Sequence, residues 1–83
     1  MDYEDMVELF RTSIDEARRD TYQADYSASE VEYTSYSVLT PSDSVIQFNL
    51  KKVIINMEIA RDKCLEAIKT WEKAIAAAKA LLD

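Results

Sequence analysis

Glycine and histidine are both absent from these 83 residues, and there is one cysteine and one proline. Each absence excludes chemistry. A loop that cradles phosphate needs glycine so that backbone N–H groups can approach the anion, and none can form here. Without histidine, a Ser–His or Cys–His nucleophile pair has no base. A zinc site has neither a second cysteine nor an imidazole. Cys64 cannot form a disulfide within the chain, so a reducing compartment is expected. No charge-free apolar run approaches the roughly 20 residues that cross a bilayer, so no membrane association is expected. The acidic start Met1-Asp2-Tyr3-Glu4-Asp5 is unlike the basic start of a secretory leader, and synthesis in the cytoplasm is expected.

Basic residues are scarce and unevenly placed. Residues 1–30 hold nine acids and three bases, residues 31–44 add Glu32 and Asp43, and residues 45–83 hold seven bases and five acids, for a net charge of −6. No basic run exceeds the pairs Arg18-Arg19 and Lys51-Lys52, so direct binding to nucleic acid is not expected. A chain acidic at one end and mildly basic at the other suits contact between copies or docking on a basic partner.

The remaining composition is that of one small domain, residues 1–83, with a thin core. Tyr3, Val7, Phe10, Ile14 and Ala17 recur at steps of four and three, which predicts a first helix over 3–24. Acids crowd its first turns, and Arg18 and Arg19 lie further on, as the helix dipole favours. Residues 25–40 change character, with Tyr26, Tyr33 and Tyr36, many Ser and Thr, and no Lys or Arg. Val31 to Val38 is β-branched and aromatic, which predicts a short strand or one arm of a hairpin. The fold class expected is therefore α+β, mostly α: an N-terminal helix, a short strand or hairpin, and a long C-terminal helix.

Thr40-Pro41-Ser42-Asp43 leaves two readings open. Thr40 can cap a helix with Pro41 at its first position and Asp43 completing a capping box. The same residues also suit a type I turn. The next residues do not decide between them, because Ile46, Phe48 and Leu50 alternate like a strand while Ile46, Leu50, Val53 and Met57 recur like a helix. The long helix thus begins at 41 or 52 and ends at 82. Its series Leu50, Val53, Met57, Ala60, Cys64, Ala67, Trp71, Ala74, Ala78, Leu81 keeps strict helical spacing, with Ile54, Ile68, Ile75 and Leu82 widening the stripe. On this series Cys64 is expected to be a buried small hydrophobe and Trp71 to face apolar surroundings.

Length argues that this stripe is not covered from within. A helix from 41 to 82 would run about 63 Å, whereas a compact domain of this size has a radius of gyration of about 12 Å. Residues Val45, Phe48, Ile55 and Ile59 form a second apolar face, and Tyr33 and Tyr36 sit in a segment rich in hydroxyls, a composition favoured at contact surfaces. Tyr33, Tyr36, Val45, Phe48, Ile55, Ile59 and Trp71 are the candidate interaction residues. No catalytic, cofactor-binding or metal-ligating set is expected. Glu58, Asp62 and Glu66 line up on one helix face, but bundle metal sites add histidines and Arg61, Lys63 and Lys69 are near enough to neutralise the row.

The order of a helix, the extended run Val31-Glu32-Tyr33-Thr34-Ser35-Tyr36-Ser37-Val38 and then a capped helix resembles the W-type head–tail joining proteins of tailed phages. That resemblance implies two helices with a β-hairpin between them and a virion connector assembled in a ring near the portal. The chain departs from the pattern in having no glycine turn, a longer last helix and no basic tail. The function expected is a non-enzymatic structural or assembly protein, a phage head–tail connector packing in multiple copies with other protein subunits. The alternative is a small acidic inhibitor or antitoxin-like protein that occupies a basic site on a partner.

Overall fold

The computed structural model describes residues 2–36 and 43–82, with side chains placed at 2–36 and 49–82. Within these residues the chain forms two α-helices, α1 (Tyr3–Ser35) and α2 (Asp43–Leu82). The helices run antiparallel. Residues 16, 21, 23 and 34 of α1 hydrogen-bond to residues 73, 71, 63 and 56 of α2, numbers rising on one helix as they fall on the other.

The expected α+β fold is not what this chain forms. No strand occurs among the described residues, and α1 runs on through the segment expected to be extended, as far as Ser35. Two local features explain why tyrosine, serine and threonine sit in a helix here. The hydroxyls of Thr21, Ser29, Thr34 and Ser35 each donate to a backbone carbonyl three or four residues earlier, at 2.6–3.1 Å. Those groups are therefore satisfied without leaving the helix. Second, β-propensity is a statement about packing more than backbone, and Ala24, Ser27, Val31 and Thr34 continue the stripe by which α1 meets α2. Residues 37–40 and the proposed cap Thr40-Pro41-Ser42 lie outside the described residues. α2 is already helical at Asp43, so the alternation of Ile46, Phe48 and Leu50 is not that of a strand. The start of α1 follows ordinary capping: Asp2 is extended, and its carboxylate accepts the Asp5 N–H at 3.0 Å.

The packing follows a seven-residue repeat on both helices. On α1 the covered positions fall on Met6, Phe10, Ser13, Ala17, Asp20, Ala24, Ser27, Val31 and Thr34, with Val7, Ile14 and Glu16 half-buried at the flanks. On α2 they fall on Asn49, Val53, Asn56, Ala60, Lys63, Ala67, Thr70, Ala74, Ala77 and Leu81, with Ala78 beside them. Alternate steps of four and three over this length define a coiled-coil seam. Its content is unusual. The fully or nearly buried residues are Ser13, Ala17, Ala24, Thr34, Val53, Ala67, Ala74 and Ala77, none larger than valine. Small seam residues let the backbones approach, and the α-carbons span 14 × 13 Å in cross-section, which keeps the axes within about 9–10 Å of each other.

The result is a rod 63 Å long with a radius of gyration of 18.8 Å, against about 12 Å for a compact domain of this length. Its accessible surface is 6513 Å², roughly 1,500 Å² more than the area that scales with this mass in compact monomers.

Candidate interaction surface

Small residues on the seam leave the large apolar residues of α2 outside. Leu50, Ile54, Met57, Ile68, Trp71, Ile75 and Leu82 are all exposed. Apart from Arg61, Cys64 and Ala78, these residues make up a second seven-residue series, displaced by one position from the seam series. It lies about 100° around the helix from the seam, since each residue turns the helix by 100°. Ile68 and Ile75, fourteen and seven residues before the end of α2, are 53% and 51% exposed.

Trp71 marks which side of the hairpin this series lines. Its indole Nε1 donates to Thr21 Oγ1 at 2.7 Å, while the Thr21 hydroxyl donates to the Ala17 carbonyl, also at 2.7 Å. The indole therefore lies over the junction of the helices with its polar end satisfied, and it is still 39% exposed. On the same flank α1 contributes Val7, Ile14, Thr21 and Ala28, each seven residues from the next. This flank is thus apolar along α2, and on α1 it is apolar or neutral next to the seam with a charged row beyond. The other flank is mixed: Lys73 Nζ pairs with Glu16 at 3.4 Å, and Leu9, Ile55 and Ile59 are exposed among charged residues on the same side. Lys63, half-buried in the seam, donates to Gln23 Oε1 at 3.4 Å.

The candidate residues read from sequence do not form one site. Tyr33 and Tyr36 are exposed on α1, in a series with Tyr22, Tyr26 and Ser29 that lies away from the Trp71 flank. Ile55 and Ile59 are exposed, but they lie away from Trp71; Ile59 shares a shallow cleft of about 220 Å³ with Tyr26, Ser27, Glu30 and Asn56. Val45 and Phe48 belong to α2, and their side chains lie outside the described residues. Cys64 is exposed rather than buried, and Met57, Ile68 and Trp71 face outward rather than into apolar surroundings in the single chain. Those residues sit on the outer series because α1 packs one position further round the helix than the midline of the apolar stripe. The residues that the sequence pattern puts at the margin of a core, Ile54, Ile68, Ile75 and Leu82, are the surface itself.

The remaining clefts are shallow. The one of about 270 Å³ between Asp20, Gln23, Asp62, Lys63 and Glu66 contains three acids, but Lys63 lines the same wall and Arg61 holds Asp62 at 3.1 Å. Among the described residues there is no cluster of three metal-ligating side chains, and no helix is long and apolar enough to cross a membrane. Comparison with family models, with curated protein sequences and with solved structures finds no match for this chain.

Proposed function

We propose that this chain is a non-enzymatic assembly protein, a rigid helical hairpin whose apolar flank is covered by protein in its working state. The single observation carrying this reading is the placement of Ile54, Met57, Ile68, Trp71, Ile75 and Leu82 outside a seam whose largest nearly buried side chain is valine. Contiguous apolar patches of more than a few hundred Å² are rare on monomers and mark contact surfaces. The missing histidine, glycine and second cysteine support the same reading, because the usual nucleophile, phosphate and metal chemistries lack their residues. The virion connector implied by the phage resemblance is one setting for such a subunit. Its β-hairpin, however, is not part of this fold, so the proposal rests on the apolar flank.

The acidic-inhibitor reading has less behind it. The acids of α1 are interleaved with Arg11, Arg18 and Arg19, and Glu16 is paired with Lys73, so the helix presents no continuous acidic face. Light scattering over a concentration series, at two salt concentrations and with an apolar fluorescent dye, tests the assembly reading. Species larger than one copy when concentrated, and dye binding on dilution, are expected. A single-copy species that binds no dye at any concentration contradicts it.

A further inference from the structure

Resting on that assembly reading, we infer that the apolar flank is a two-fold interface between two copies of this chain, α1 against α1 and α2 against α2, each pair antiparallel, closing a four-helix bundle centred near Thr21 and Trp71. Three observations support a second copy as the occupant.

The first is the repeat. α2 carries two seven-residue series side by side, and a helix with two such seams packs against two neighbours at once. The inner seam meets α1. The outer one, with Ile68, Trp71 and Ile75 in its C-terminal half, has the residue sizes that a bundle core uses and that most of the inner seam lacks.

The second is charge. The outer margin of this flank on α1 is a row at seven-residue spacing, Glu4, Arg11, Arg18, Asp25 and Glu32, all exposed. Glu4 lies beyond the overlap proposed here; within it, two bases are followed by two acids. Turned end for end against itself, the row sets Arg11 opposite Glu32 and Arg18 opposite Asp25, and the two-fold makes each pairing twice. The point midway between these partners on α1 falls at Thr21–Tyr22, next to the residue that bonds Trp71. The charge row thus places the two-fold beside the Thr21–Trp71 bond. A parallel arrangement would stack Arg on Arg and acid on acid.

The third is area. Centred there, α1 overlaps its copy over about 40 Å and α2 over about 33 Å; at about 10 Å of width per helix this buries about 700 Å² per copy, about 1,400 Å² in all, within the range of ordinary stable interfaces. It would remove about half of the surface that the rod exposes beyond a compact monomer. The tyrosine series of α1, which lies away from this flank, stays outside the bundle and free for other subunits.

The mass of the full chain and three variants in solution tests this, with helix content by circular dichroism as the control. The wild-type chain is expected to be two copies. Ile68→Glu with Ile75→Glu is expected to give a helical single copy; should it lose helix content, Ile68→Ala with Ile75→Ala is expected to raise the dissociation constant about tenfold or more. Arg11→Glu with Arg18→Glu is expected to weaken the dimer at least about tenfold, and adding Asp25→Arg with Glu32→Arg to restore it to within a few fold. Tyr26→Glu with Tyr33→Glu is expected to leave the dimer intact. A helical double-glutamate variant that is still a dimer, or a charge-swapped chain that is not restored, overturns the interface. A wild-type chain that stays single-copy but binds apolar dye overturns the second copy as occupant and leaves the assembly reading standing with a different protein on the flank. A single copy that binds no dye overturns both.

Discussion

Ala67 and Ile68 are neighbours on α2, yet one is 8% exposed against α1 and the other is more than half exposed on the apolar flank. The same contrast repeats at Val53 and Ile54 and at Ala74 and Ile75. In most helical hairpins the larger residue of each pair would face the partner helix. Here the smaller one does, and the difference teaches what each seam is for. A seam whose buried positions are mostly alanine, serine and threonine, with Met6, Phe10 and Leu81 half-covered toward one end, buries little apolar area per residue. Apolar burial contributes roughly 25 cal/mol for each Å². The seam gains instead from close backbone approach and from polar groups that find partners across it, Asn56 to Thr34 and Lys63 to Gln23. The outer seam holds most of the apolar area, and that area is released only on association.

Breaking the inner seam should have the largest effect. Ala17→Leu or Ala67→Leu forces a larger side chain between closely spaced helices and is expected to cost about 1–3 kcal/mol by urea denaturation of the dilute chain. At neighbouring Ile68, truncation to Ala should cost less than about 1 kcal/mol under the same dilute conditions, since half of that side chain is already in water. If both positions cost the same, the two seams are not distinct in the way described.

The polar contacts sharpen the contrast by smaller amounts. Thr34 is buried, and its Oγ1 accepts the Asn56 amide at 3.3 Å while donating to the Glu30 carbonyl. Thr34→Val keeps the shape and removes these bonds, at an expected cost of about 1–2 kcal/mol in thermal or chemical melts. Trp71→Phe removes the 2.7 Å bond to Thr21 from a half-covered site, and a loss of about 0.5–1 kcal/mol is expected. Lys73→Ala breaks an ion pair whose side chains are about half exposed, and its effect should stay below about 0.5 kcal/mol and vanish in high salt.

Much of this arrangement is visible in the spacing of residues. The long apolar helix, its freedom from interruption after Lys52, and the excess of apolar surface over what one short chain can cover all follow from the sequence. The midline of the stripe does not. The series read from sequence, Leu50, Val53, Met57, Ala60, Cys64, Ala67 and Trp71, interleaves two rows, and α1 takes only Val53, Ala60 and Ala67 of these, adding Asn49, Asn56, Lys63 and Thr70. Weighting by hydrophobic size places the core at the bulky residues. The packing favours small and polar ones because α1 offers Ser13, Ala17, Ala24 and Thr34 opposite them. The strand expected at Val31–Val38 fails for a related reason. Local preference reads its β-branched and aromatic residues as extended, whereas Val31 and Thr34 extend a repeat begun at Met6, and Tyr33 and Tyr36 project away from the Trp71 flank. A seven-residue count carried through Ala24, Ser27, Val31 and Thr34 is the signal for helix.

The central claim is that the small-residue seam alone holds the hairpin, while the large apolar residues act only between chains. Thermal unfolding of the wild-type chain and of the Ile68→Glu/Ile75→Glu variant over a concentration series tests it most directly. The melting temperature of the wild-type chain should rise with concentration. That of the variant should be constant and close to the wild-type value at high dilution. A variant that is unfolded, or that melts far below the dilute wild-type chain, would show that Ile68 and Ile75 belong to the hairpin's own core and would contradict the account.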